Sequence, residues 1–139
     1  MEIINKFQIA ELILRMFCGI IFLYQGYDKL FKVKISGVTE AFMANAHNVH
    51  ISSLVLKTAA TFTSIVEFTC GLMLIIGLFK TIALTLLGLD MIIVGLAFSM
   101  LEPVWDMRHV FPRLLLVFFL LILPGEWEFF SLDYLFKTN

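Results

Sequence analysis

Four apolar stretches, each interrupted by a charge, organise this chain. They run from about Phe7 to Phe31, from about Ser52 to Phe79, from about Ile82 to Leu101, and from about His109 to Pro124. Each is roughly long enough for a helix across the hydrocarbon core of a bilayer. The intervening residues are polar or helix-breaking. Lys29, Lys32 and Lys34 form a basic connection, and Ser36-Gly37 marks a break. Residues 38–50 read as a short amphipathic surface segment, with Phe42 and Met43 on one side and His47, Asn48 and His50 closing the loop. Gly77 to Lys80 is a very short turn, which makes the second and third helices antiparallel neighbours. Glu102-Pro103 stops the third helix, and Trp105, Asp106, Arg108 and His109 form a polar loop. Pro112 is tolerated in the first turn of the fourth, which begins between Met107 and Pro112 and ends at Pro124-Gly125. From Glu126 to Phe136 acidic and aromatic residues alternate, and Trp127, Phe129 and Phe130 fit an interfacial anchor.

Arg15, Glu67, Asp90 and Arg113 lie deep inside the four stretches, one in each. An ionisable group at mid-helix costs about 2.5–3.5 kcal/mol on insertion, so each needs a partner or a function. For the third helix, Asp90 costs about 3 kcal/mol, whereas each Leu, Ile, Val or Phe returns roughly 0.3–0.6, and insertion wins. Counted from the face carrying the termini at about 1.5 Å per residue, Arg15 lies roughly 10 Å deep, Glu67 about 17, Asp90 about 14 and Arg113 about 15. Two positive and two negative groups are therefore expected to meet in one layer and neutralise one another. The helix faces agree. Arg15, Gly19, Phe22, Gly26 and Lys29 share a stripe flanked by Cys18 and Gln25; Thr63, Glu67 and Gly71 share another; Gly88 and Gly95 edge Asp90. The glycines beside Arg15 allow close backbone approach. Glu11, one turn before Arg15, competes for it, and Asp28 and Lys29 are expected to snorkel at the rim.

Composition places the chain in one class. Of 139 residues, 60% are apolar and 15% charged, which no ordinary soluble domain shows. The expectation is an all-α polytopic membrane protein, a single four-transmembrane-helix bundle over residues 1–139. Net charge is −1, which leaves no basic field for nucleic acid. Cys18 and Cys70 have no metal or C-x-x-C spacing and read as small packing residues. The amino-terminal stretch, with Lys6 alone in its n-region and Glu11 and Arg15 in its apolar part, reads as a retained span rather than a cleaved signal. With four spans, Lys29, Lys32, Lys34, Lys57 and Arg108 fall on one side and Lys6, Lys80 and Lys137 on the other. Positive-inside then puts both termini on the non-cytoplasmic side.

Two readings of the charge cluster stand side by side. It fixes helix register and does nothing more, or it is a ligand-binding or proton-relay site made of Arg15, Glu67, Asp90, Arg113, Lys29 and Gln25, open to a polar, lipid or quinone-like ligand. A transporter would need a water-accessible path from one face to the cluster, and an inverted repeat would support it; the halves show no repeat. His47 and His50 form an H-x-x-H pair with no third ligand, so no metal site is expected. No histidine lies centrally in a span to hold haem. No phosphate loop, nucleophile elbow or nucleic-acid module occurs.

Arg15-x3-Gly19 followed by Gly26-x-x-Lys29-Leu30, then Glu67-x3-Gly71 and the closing Ser131-Leu132-Asp133, resemble the DoxX family of small four-helix membrane proteins along nearly the whole chain. The pattern is also similar to the related MauE-type proteins. The resemblance implies a bacterial inner-membrane protein serving as an accessory or quinone-interacting subunit of a membrane redox complex, with no covalently bound cofactor, rather than an enzyme acting alone. It carries Arg15, Gly26, Lys29, Glu67 and Gly71, while Asp90 and Arg113 fall outside it. The alternatives are a ligand-free scaffold or assembly factor, alone or as an oligomer, and a small-molecule or proton transporter.

Overall fold

Helix α1 spans Lys6–Tyr27, and its buried residues are Glu11, Arg15, Cys18, Gly19, Phe22 and Gly26. That spacing of three and four puts them on one face, while Ile13, Phe17, Ile20 and Tyr24 point outward, where lipid tails suit them. The computed structural model describes residues 6–45, 51–101, 108, 110–128 and 130–138. After α1 come a π-helical turn (Asp28–Lys32), α2 (Lys34–Asn45), α3 (Ser53–Ile76), α4 (Lys80–Leu101), α5 (Phe111–Ile122), a 3₁₀ turn (Gly125–Trp127) and α6 (Leu132–Thr138). The chain is all-α. Three of the described helical segments, Lys6–Lys32, Ser53–Ile76 and Lys80–Met100, are long and apolar enough to cross a membrane. At 12 residues, or about 18 Å, the regular part of α5 is shorter than the hydrocarbon core.

α1 packs on α3, α3 on α4, α4 on α5 and α5 back on α1. The ring encloses Cys18, Phe22, Cys70, Leu74, Leu84, Leu87, Met91, Val117 and Leu120. The α1–α3 seam is the tightest. A Cβ on Gly26 would lie 2.7 Å from Phe68 Cα, and one on Gly71 would lie 2.8 Å from Leu23 Cα. Glycine is required there because the two backbones touch.

α2 packs on α3 and on the π-helical turn. It has no buried residue. The break expected at Ser36-Gly37 lies instead at Lys34, whose φ of 61° turns the chain where α2 begins; Ser36 and Gly37 continue the helix. His47, Asn48 and His50, Glu102-Pro103, and Trp105, Asp106, Met107, His109 and Phe129 lie outside the described residues.

The α3–α4 turn is closed by Gly77 at φ 69°. Its amide donates to the Leu74 carbonyl at 3.2 Å and that of Leu78 to Met73 at 2.9 Å, the paired bonds that end a helix on a left-handed residue. The short antiparallel connection read from the sequence is present.

Candidate functional site

Two polar clusters lie at different depths of the bundle, one at its end and one near the middle of α3 and α4. The first lies where α1 begins and α3 ends. Arg15 Nη1 donates to the carbonyls of Leu74 at 2.7 Å and Ile75 at 3.4 Å, filling acceptors that the last turn of α3 leaves open. Its Nη2 donates to the Phe130 carbonyl, and its Nε lies 3.2 Å from Glu11 Oε1. Lys80 Nζ joins Glu11 Oε1 at 3.1 Å and Glu128 Oε1 at 2.8 Å. Two cations thus meet two carboxylates, all four buried. The carboxylate of Asp133 accepts from the amides of Phe79 at 2.9 Å and Lys80 at 3.1 Å, which caps α4. Ser131 Oγ accepts from the Tyr134 amide at 3.1 Å and starts α6. Every charge here has an opposite charge or a helix end as partner, so this cluster binds the carboxyl-terminal segment to the bundle.

The second cluster lies deeper, around the middle of α3 and α4. Lys29 Nζ donates to both oxygens of Glu67, at 2.7 and 2.6 Å. Glu67 is fully buried, while a quarter of the Lys29 side chain remains accessible. Lys29 belongs to the π-helical turn, a wider backbone turn that recurs at functional sites. Arg113, in the first turn of α5, donates to Gln25 Oε1 at 2.9 Å. Asp90 is fully buried on α4. Its electrostatic neighbours are Glu67, Lys29 and Arg113. Neither of its carboxylate oxygens has a hydrogen-bond partner among the described residues. A buried acceptor left empty costs about 1–3 kcal/mol, and more when charged.

The single layer expected for Arg15, Glu67, Asp90 and Arg113 is therefore corrected. Glu67, Asp90 and Arg113 stay together with Lys29 and Gln25, whereas Arg15 belongs to the cluster at the end of the bundle. α1 overhangs α3: Gly26 faces Phe68, Gly71 faces Leu23 and Gly19 faces Ile75. Glu67, beside Phe68, is thus level with Gly26, eleven residues or about 16 Å along α1 from Arg15. Depth counted from helix ends misses such an overhang. Lys29 is likewise more than a rim residue, because it is the direct partner of Glu67. Lys80, Glu128 and Asp133 complete the first cluster without interrupting the middle of any apolar stretch, so the charge pattern does not mark them. Ser131-Leu132-Asp133 was the available signal, and its serine and aspartate are both caps.

A cavity of about 370 Å³ adjoins the second cluster, within the size range of small-molecule sites. α2, α3, α4 and the π-helical turn form its walls, which are mainly apolar: Phe42, Ala60, Val94 and Ala97. Lys29 and Thr63 are among its polar lining residues. Glu67 follows Thr63 by four residues and Asp90 precedes Val94 by four, so both carboxylates lie one turn beyond lining positions, buried behind the cavity wall rather than in it. Arg15 does not line this cavity. Among the described residues, no group of three or more His, Cys, Asp or Glu side chains is placed to hold a metal ion.

Compared with protein-family models, residues 10–100 match DoxX. No curated protein and no solved structure matches the chain.

Proposed function

This chain belongs to the DoxX family of membrane proteins, since the family match covers more than half of it, and from that premise we propose that it binds a quinone-like amphiphile for a membrane redox system. The observation that carries this reading is the apolar cavity between α2, α3 and α4, with Lys29 in its lining and Lys29 bonded to Glu67. An apolar chamber with a few polar groups to one side suits a ligand with a polar head and an apolar tail. Lys29 holds the head oxygen, Glu67 fixes Lys29, and the tail lies along Phe42, Val94 and Ala97. The bacterial inner membrane is the location proposed with this role.

The rival reading is a ligand-free scaffold. It accounts for the first cluster, where every charge is paired, but not for the cavity or for the empty oxygens of Asp90. Equilibrium binding of decylubiquinone and menadione to the protein in lipid nanodiscs separates the two. We expect saturable binding that falls at least tenfold in Ala97→Phe, which fills the cavity, and in Lys29→Met. Absence of saturable binding, or binding untouched by Ala97→Phe, leaves the scaffold.

A further inference from the structure

Asp90 has two unused carboxylate oxygens and lies one helical turn from Val94 in the cavity wall, which bears on which head group fits. We propose that the ligand presents a hydroxyl, as in a phenol or hydroquinone, and that the site discriminates against head groups that only accept hydrogen bonds. This rests on the cavity reading given above and narrows its ligand class.

An ammonium group has three N–H donors and no acceptor. Lys29 directs two of its donors to Glu67, which leaves one for a ligand oxygen. Asp90, an electrostatic neighbour of Lys29 and Glu67, offers two acceptors and is fully buried on the α4 stripe that continues into the cavity wall at Val94. Its oxygens have no donor among the described residues. The pair therefore asks for a group that accepts from Lys29 and donates to a carboxylate. A hydroxyl does both. A carbonyl or ether oxygen satisfies Lys29 alone and leaves Asp90 as it stands. A carboxylate head would pair with Lys29 but meet Glu67 and Asp90, two groups of its own sign. Sites that hydrogen-bond a hydroxyl reject analogues lacking it more strongly than apolar pockets reject a missing methylene, because their polar groups are left unpaired.

The test uses probes without redox chemistry. Binding of 4-undecylphenol and of its methyl ether is measured on the whole protein in nanodiscs, for wild type, Asp90→Val, Asp90→Asn and Ala97→Phe. The phenol is expected to bind wild type at least tenfold more tightly than the ether. Asp90→Val is expected to bring the two within twofold, with Asp90→Asn between. Should Asp90→Val not fold, the wild-type ratio and Asp90→Asn decide. Equal binding of phenol and ether that Ala97→Phe abolishes overturns the hydroxyl requirement and keeps the cavity. A preference that survives in Asp90→Val also overturns it. If neither probe binds, or Ala97→Phe binds as wild type does, both inferences fall.

Discussion

Asp133 accepts hydrogen bonds from the backbone amide of Lys80 at 3.1 Å and from that of Phe79 at 2.9 Å, so a residue 53 positions downstream caps the start of α4. The Asp133 amide donates in return to the Gly77 carbonyl at 3.0 Å. Capping carboxylates are worth about 0.5–2 kcal/mol. Asp133→Ala is expected to destabilise the protein by that amount and to expose the segment after Gly125 to protease before the bundle melts. Thermal unfolding in detergent, with timed proteolysis and mass analysis, reads both effects. Simultaneous loss of the carboxyl-terminal segment and the helices would show that the two are not separable.

Arg15 is fully buried and answers three groups at once: Glu11, the end of α3 and the Phe130 carbonyl. Removing one partner of a buried ion pair costs about 3–5 kcal/mol. Arg15→Gln is therefore expected to lower stability by that range. Arg15→Lys is not expected to restore it, because a point charge lacks the fork that reaches three acceptors. Denaturant titration of the three proteins side by side measures this. A lysine variant as stable as wild type would assign Arg15 a charge role only.

These two residues also show what the sequence carries and what it omits. The stripes through Arg15, Gly19, Phe22 and Gly26 and through Thr63, Glu67 and Gly71 are visible as helical periods, and they are the surfaces that meet. Gly26 and Gly71 read as close-approach positions and are such. Hydropathy says nothing, however, about how far one helix slides past another, so Arg15 was expected beside Glu67. Nor does it mark the π-helical turn that carries Lys29. The long-range caps at Asp133 and Arg15 leave only a short polar motif as trace.

Two glycines make a matched comparison. Gly71→Ala would place a Cβ 2.8 Å from Leu23 Cα and 2.9 Å from the Gly19 carbonyl oxygen. Backbone cannot yield cheaply, and a loss of about 1–3 kcal/mol or more is expected. Gly88→Ala meets only Val117 Cγ1 at 3.9 Å, an ordinary contact. It is expected to gain about 0.5–1 kcal/mol through helix propensity. Melting midpoints moving in opposite directions would confirm the seam, and equal shifts would contradict it.

Asp90→Val is expected to melt above wild type by about 1–3 kcal/mol in the absence of ligand, because an apolar side chain of similar shape removes an unsatisfied buried carboxylate. Glu67→Gln is expected to move the other way, since it weakens both bonds from Lys29. Chemical unfolding in ligand-free detergent compares them. A valine variant less stable than wild type would mean that Asp90 already has a partner.

The π-helical turn at Asp28–Lys32 makes the placement of Lys29 a matter of chain length as well as side-chain chemistry. Removing Asp28, the residue of that turn that precedes Lys29, would swing Lys29 about 100° around the axis of α1, away from Glu67. A single-codon deletion would then separate an ammonium from its carboxylate while both amino acids remained in the sequence. Related chains that keep the same residues yet differ by one position here would carry a differently tuned chamber.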